Sequence, residues 1–506
     1  MTHDRIARLL ADAPTVAAHK PWLRYEVDHG TFGEIGCVVG EGERELVSLW
    51  AEPGMVHMAI RAIGDSPCVV STAVVESRFP SIGRWHAPAI RLERTIRDLY
   101  GYQPNEAEDR RPWLDHGAWG IAAPLGARRA NPLQHPADYD FLPVHGHGLH
   151  QIPVGPVHAG IIEPGHFRFT CNGEIVARLE ERLGYVHKGI DALTTDVPLE
   201  QAARVIARLS GDSTVAASFA FARAVEAALD IEVPPRGAVV RGVTAELERL
   251  ANHLGDIGAI CNDAAFALIL AHCGILRERV LAASDAVFGH RLMMDIAVPG
   301  GAAADITADG AREILIMLDV IAPAFDDIVR VYDETPSLQD RTCNTGYLAP
   351  ALAKRFAAGG YVGRASGRDF DSRRDLAYPP YTATPFEVPL LTTGDVDARV
   401  RVRIGEVVAS MALLRGFLSG LPDGPILAPV PQPPQPAEGV AITEAFRGDL
   451  LVWLRLTPEL RVERCHVRDA SWFQWPLLEA VIKNNIVADF PLCNKSFNCS
   501  YSGHDL

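Results

Sequence analysis

Five stretches with apolar residues at helical spacing, over residues 200–209, 213–229, 241–260, 270–288 and 310–332, constrain this chain more than any other feature. Consecutive helical blocks of such length pack as a bundle. Strand-like runs lie on both sides of them. GEIGCVVG and CVVSTAVVES, rich in β-branched residues, read as strands near the N-terminus. DLLVWLRL and LRVERCHVRD read the same way after Gly439. Between the flanks, IRLERTIRDLYG places Ile90, Leu92, Ile96 and Leu99 on one helix face. The run from Gly155 to Tyr185 predicts two strands joined by a turn at Asn172–Gly173. The expected class is α+β. A small α/β domain covers 1–126, and a linker rich in Pro, His and Asp covers 127–153. A helical bundle with peripheral antiparallel strands covers 154–506, broken by a Pro-rich insertion at 421–438.

The chain has 506 residues, enough for roughly two to four domains. Its apolar share of 48% and charged share of 22% are those of a globular protein. A net charge of −15 argues against a nucleic-acid partner and against adsorption to an anionic membrane. The N-terminus has no apolar core of signal-peptide length. The longest apolar stretch, around 264–276, is too short to span a bilayer. The expected location is cytoplasmic, peripheral to the inner face of the membrane and held there by partner subunits. Nine scattered cysteines without a CxxC pair match neither a disulfide framework nor an iron–sulfur ligand set. His145, His147 and His150 lie close together in the linker without a carboxylate or thiol to complete a metal site. No GxGxxG joins a strand to a helix, so no nucleotide cradle is expected.

Two runs carry a family resemblance. PSIGRWHAPAIRLERTIRDLYGY followed by DRRPWLDHGAW, with Glu93, Arg94, Asp98, Tyr100, Gly101, Asp109, Arg110 and Arg111, is similar to the small peripheral "C" subunit of complex I. GPVHAGIIEPGHFRF, GYVHKGID, AELERLANHL and FGHRLMMDIAVPGG follow in the order found in the large "D" subunit and in energy-converting hydrogenases. Fusion of "C"-like and "D"-like parts resembles the large subunits of the formate-hydrogenlyase and hydrogenase-4 type, group 4 of the NiFe hydrogenases.

That resemblance implies four cysteine ligands for a NiFe centre, in R-x-C-G-x-C and D-P-C-x-x-C. Here the first motif reads Arg208-Leu209-Ser210-Gly211-Asp212-Ser213, and the second Phe497-Asn498-Cys499-Ser500-Tyr501-Ser502. Serine stands at three ligand positions, Ser210, Ser213 and Ser502; Cys499 remains. Soft thiolates suit nickel and low-spin iron, and a neutral hydroxyl does not replace them. Complex I's quinone tyrosine falls at Gly211 and its quinone-side histidine near Ile162, so that headgroup site is incomplete as well. The resemblance leaves a shell of polar residues as proton-handling candidates: His158, with His166 beside it; His187, Lys188 and Asp191; and Glu246, Arg249 and His253 on one helix face.

The expected function is a large subunit of a membrane-associated, hydrogenase-related oxidoreductase complex. It couples electron transfer or a conformational change to ion translocation without an intact NiFe centre. The implied partners are a small iron–sulfur subunit holding a 4Fe-4S cluster, a ferredoxin-like subunit and antiporter-like membrane subunits; no cofactor is assigned to this chain. Two other readings stay open: an active formate-hydrogenlyase-type hydrogenase, and a non-catalytic scaffold subunit.

Overall fold

The computed structural model describes residues 5–62, 64–131, 139–158 and 162–506. Near the N-terminus, β1 (His19–Lys20) and β2 (Arg24–Glu26) precede α1 (His29–Glu41). β3 (Glu45–Glu52), β4 (Met55–Arg61) and β5 (Cys68–Ala73) then form a sheet of order β2-β5-β4-β3. Its α1 corrects the sequence expectation, because GEIGCVVG lies inside this helix. Phe32, Ile35, Val38 and Val39 are buried at helical spacing. Asp28 accepts from the Thr31 N–H at one end, and Gly42 takes a φ of 84° at the other. The caps and the period outweigh the weak strand preference of the β-branched residues.

The helix α2 (Ile90–Tyr100) covers this sheet. The expected linker partly forms strand: β6 (Leu149–Val154) pairs antiparallel with β7 (His166–Asn172), which pairs with β8 (Ile175–Arg182) across the Asn172–Gly173 turn. His145, His147 and His150 are exposed, and the stretch 132–138 lies outside the described residues. After β9 (Val197–Pro198) come the helices α3 (Leu199–Ile206), α4 (Thr214–Leu229), α5 (Pro235–Asp263), α6 (Ala267–Phe288), α7 (Ala308–Asp333) and α8 (Val396–Ser419). α5 is buried along almost its whole length, so it is the axis of the bundle rather than a surface helix.

The chain closes with β10 (Ala437–Ala445), β11 (Gly448–Leu456), β12 (Arg461–Arg468), α9 (Ser471–Val481), α10 (Phe490–Phe497) and α11 (Tyr501–Asp505). The first of these strands takes in the last residues of the Pro-rich 421–438 stretch. The second large sheet has the order β1-β10-β11-β12-β9, so it draws one edge from the N-terminus and the other from residues before the bundle. The two large sheets share a core of Val47, Trp50, Ala59, Val69, Val440, Ile442, Leu451 and Trp453. α4 lies directly on β10: a Cβ at Gly439 would stand 1.8 Å from the Ala224 carbonyl oxygen, so only glycine fits. No described helix is long and apolar enough to cross a membrane.

Candidate functional site

The turn before α4 and the tail between α10 and α11 meet around one cavity of about 370 Å³. Ser210 and Asp212 line it from the first side, Cys499, Ser500 and Ser502 from the second, and Arg447 from the turn between β10 and β11. Three of the four expected ligand positions thus share one space. Ser213 does not line the cavity; its hydroxyl turns toward Asp212 Oδ1 at 3.5 Å.

A closed hydrogen-bond web occupies the place where sulfur ligands would converge. The Ser210 hydroxyl donates to Asp212 Oδ1 at 2.6 Å. Ser500 Oγ donates to Ser210 Oγ at 3.2 Å and lies 3.4 Å from Ser502 Oγ. Arg447 grips both Asp212 oxygens, at 2.9 and 2.5 Å, and its Nε donates to the Asn498 carbonyl at 2.5 Å. One guanidinium therefore ties the first motif to the second. Burial pushes the Asp212 carboxyl up, but Arg447 holds it below its ordinary value. Burial, reinforced by Glu181, raises the Cys499 thiol well above its usual value, so the thiol stays protonated.

This donor set does not fit a NiFe centre. Three neutral hydroxyls and one protonated thiol stand where four thiolates are needed. Among the described residues, no group of three or more His, Cys, Asp and Glu could hold a metal ion.

The carbon monoxide-induced hydrogenase of Rhodospirillum rubrum is 33% identical over 349 residues, 69% of this chain and 96% of that protein. The chain belongs to the hydrogenase and complex I large-subunit family. Formate hydrogenlyase subunit 5 of Escherichia coli (strain K12) is 29% identical over 488 residues, 94% of this chain and 85% of that protein. Residues 264–438 match the family described as respiratory-chain NADH dehydrogenase, 49 Kd subunit. In fold, the chain resembles a subunit of the membrane-bound sulfane sulfur reductase, an archaeal respiratory membrane complex. That likeness has a TM-score of 0.67 and 23% identity, and covers 71% of this chain and 99% of the other.

The remaining candidates of the family shell fall into separate groups. Glu246, Arg249 and His253 are fully buried on α5. Glu246 accepts from Arg373 at 3.0 Å, Tyr381 at 2.7 Å and Ser410 at 2.6 Å. His253 Nε2 stands 2.7 Å from Glu406 Oε2, and Glu406 also pairs with Arg364. Burial opposes ionisation of Glu246 and Glu406, yet their arginine partners hold both carboxyls below the ordinary value. Burial lowers the His253 pKa against the pull of Glu406, so the ring is neutral, and its Nδ1 has no described partner. Arg249 donates to the carbonyls of Glu444 and Ala445 at 2.7 and 3.1 Å. Those residues lead directly into the turn that carries Arg447, so the buried array supports the cavity wall.

His187 Nδ1 lies 2.7 Å from the Asp505 carbonyl, and Lys188 donates to the Leu209 carbonyl at 2.6 Å, beside Ser210. His158 is tied to the Gly165 carbonyl at 2.8 Å and does not line the cavity; Glu163, from the same loop, does. Asp191 pairs with Arg464 at 3.4 Å, and burial raises its pKa. Sequence reasoning missed Asp212 and Arg447. Asp212 sat inside the quoted motif, but nothing local marks Arg447, whose role depends on a turn brought in from far along the chain.

Proposed function

We propose that this chain is the large subunit of a membrane-associated, hydrogenase-related complex whose former metal cavity carries no NiFe centre and makes no hydrogen. The observation that supports this most directly is the Arg447–Asp212 clamp within a web of serine hydroxyls, in place of four thiolates. In this reading, electrons pass through a 4Fe-4S cluster in a small partner subunit, supplied by a ferredoxin-like subunit. Antiporter-like membrane subunits anchor the chain at the inner face of the membrane and move ions.

The chain's own residues act as a positioning and proton-holding framework. Arg447 and Asp212 fix the two motif segments against each other. Glu246, Arg249, His253 and Glu406 hold the turn before Arg447, and a neutral imidazole beside a carboxylate can take a proton when a neighbouring charge changes. His187 and Lys188 flank the C-terminal tail, Asp191 pairs with Arg464 on β12, and His158 braces the opposite loop.

Purification of the whole complex through a tag on this chain tests the proposal. The expected result is electron-transfer turnover without hydrogen evolution. Both E246Q and H253A should slow that turnover, on the order of a hundredfold for a residue in proton transfer. Hydrogen evolution that S210A abolishes would favour the active hydrogenase instead. Unchanged turnover in both E246Q and H253A would remove the buried array from the mechanism.

A further inference from the structure

A second cavity, of about 780 Å³, opens between α4, α5, α8 and residues 379–384. It shares no lining residue with the cavity at Ser210 and Cys499. Its walls are largely apolar, with Phe219, Val239, Pro380 and Phe417 among them. Such a volume and lining suit a small organic molecule fixed by a few polar groups.

The polar groups are unevenly paired. Glu226 is saturated: Arg241 donates to both of its oxygens, at 3.1 and 2.5 Å, and the Gly300 N–H adds a third bond at 2.8 Å. Glu232 lies at the exposed rim. Arg223 is the exception. Its guanidinium sits 3.8 Å over the Tyr378 ring, and Nη1 donates to the Ile442 carbonyl and, at 3.3 Å, to Thr443 Oγ1. Nε and Nη2 have no hydrogen-bond partner among the described residues, and no described carboxylate forms a direct ion pair with Arg223. Arg223 keeps accessible surface, and the cavity is where that surface lies.

Glu226, one turn along α4, acts on Arg223 only at a distance, because both of its oxygens are taken by Arg241. An anion that reaches the free edge of the Arg223 guanidinium therefore gains charge-assisted hydrogen bonds. An apolar chamber with one such cation selects a molecule with an apolar body and one anionic head. We propose that this cavity binds an anionic amphiphile, its carboxylate or phosphate head on Arg223 and its hydrocarbon part against Phe219, Val239 and Phe417. The source is either a free fatty acid or an anionic membrane lipid; both present the same chemistry.

Binding of oleate to the purified full chain, below the micelle concentration, tests the site, with oleyl alcohol as the neutral-headed control. The expected result is saturable binding of one oleate per chain. Oleyl alcohol and the R223Q variant with oleate should each bind at least about tenfold more weakly, as loss of a charge-assisted hydrogen bond implies. A second variant, Ala383→Trp, at the exposed rim, plugs the mouth without touching the core and should weaken both ligands. Sedimentation with phosphatidylglycerol vesicles, but not phosphatidylcholine vesicles, would name a membrane lipid as the source. Oleate binding without vesicle binding would name the free fatty acid. Equal binding of oleate and oleyl alcohol, unchanged oleate binding in both variants, or no binding of oleate or vesicles would overturn the proposal.

Discussion

Glu93 shows how a single side chain in this fold reports on its own burial. Its carboxylate accepts from the N–H groups of Ile82 and Gly83, at 2.5 and 2.8 Å, and from the Ser81 hydroxyl at 2.9 Å. Burial pushes its pKa up from 4.5 to about 7 despite these bonds. The folded chain therefore holds this proton more tightly than the unfolded chain does. Its contribution to stability is full below about 4.5 and is lost as pH rises toward about 7. The loss is ~3 kcal/mol at most. Unfolding measured from pH 4.5 to 7 should show a shallower decline in E93Q than in the parent chain. Equal slopes would mean that Glu93 titrates normally. At this scale the sequence was legible where a motif is linear: Ser210, Ser213, Cys499 and Ser502 are read directly from two short runs. Arg447 was not, because its partner Asp212 lies 235 positions away and only the fold brings them together.

Between elements, α5 and α8 are joined by buried charge rather than by apolar contact alone. His253 on α5 and Glu406 on α8 meet at 2.7 Å, and Arg364 closes on the same carboxylate. A buried ion pair adds little net stability, but removing one partner strands the other. E406A should therefore cost about 3–5 kcal/mol in denaturant unfolding, against far less for an exposed pair. A loss below about 1 kcal/mol would show that water reaches the array and screens it, as at a surface pair. Four long helices, α4 to α7, were legible because their apolar period persists over many turns; the first of the five expected stretches folds as the short α3, and α8 was not singled out. α1 was not, because eight residues taken from its middle look β-branched, while Asp28 and Gly42, which define it, stand outside that window. Glu406 gave no local signal either. It lies among the charged residues of α8 and becomes a partner of His253 only through helix packing.

Across the whole molecule, the N-terminal residues are tied into the later chain. β1 joins the C-terminal sheet, and Arg24 binds Glu438 at 2.7 and 2.6 Å. The resemblance of the fused parts to separate complex I subunits is visible in sequence; the edge strand that joins them is not, since it is two residues long and has no pattern. The fold also brings the second motif to a cavity walled by Arg447, so the serines at the expected ligand positions stand in a polar, hydrogen-bonded site.

Elemental analysis of the intact complex, purified without chelators from nickel-supplied cells, decides whether the cavity at Ser210 and Cys499 holds nickel. Nickel should lie far below one atom per copy of this chain, with iron accounted for by the clusters of partner subunits. One nickel per chain, lost in the Cys499→Ser variant, would contradict it.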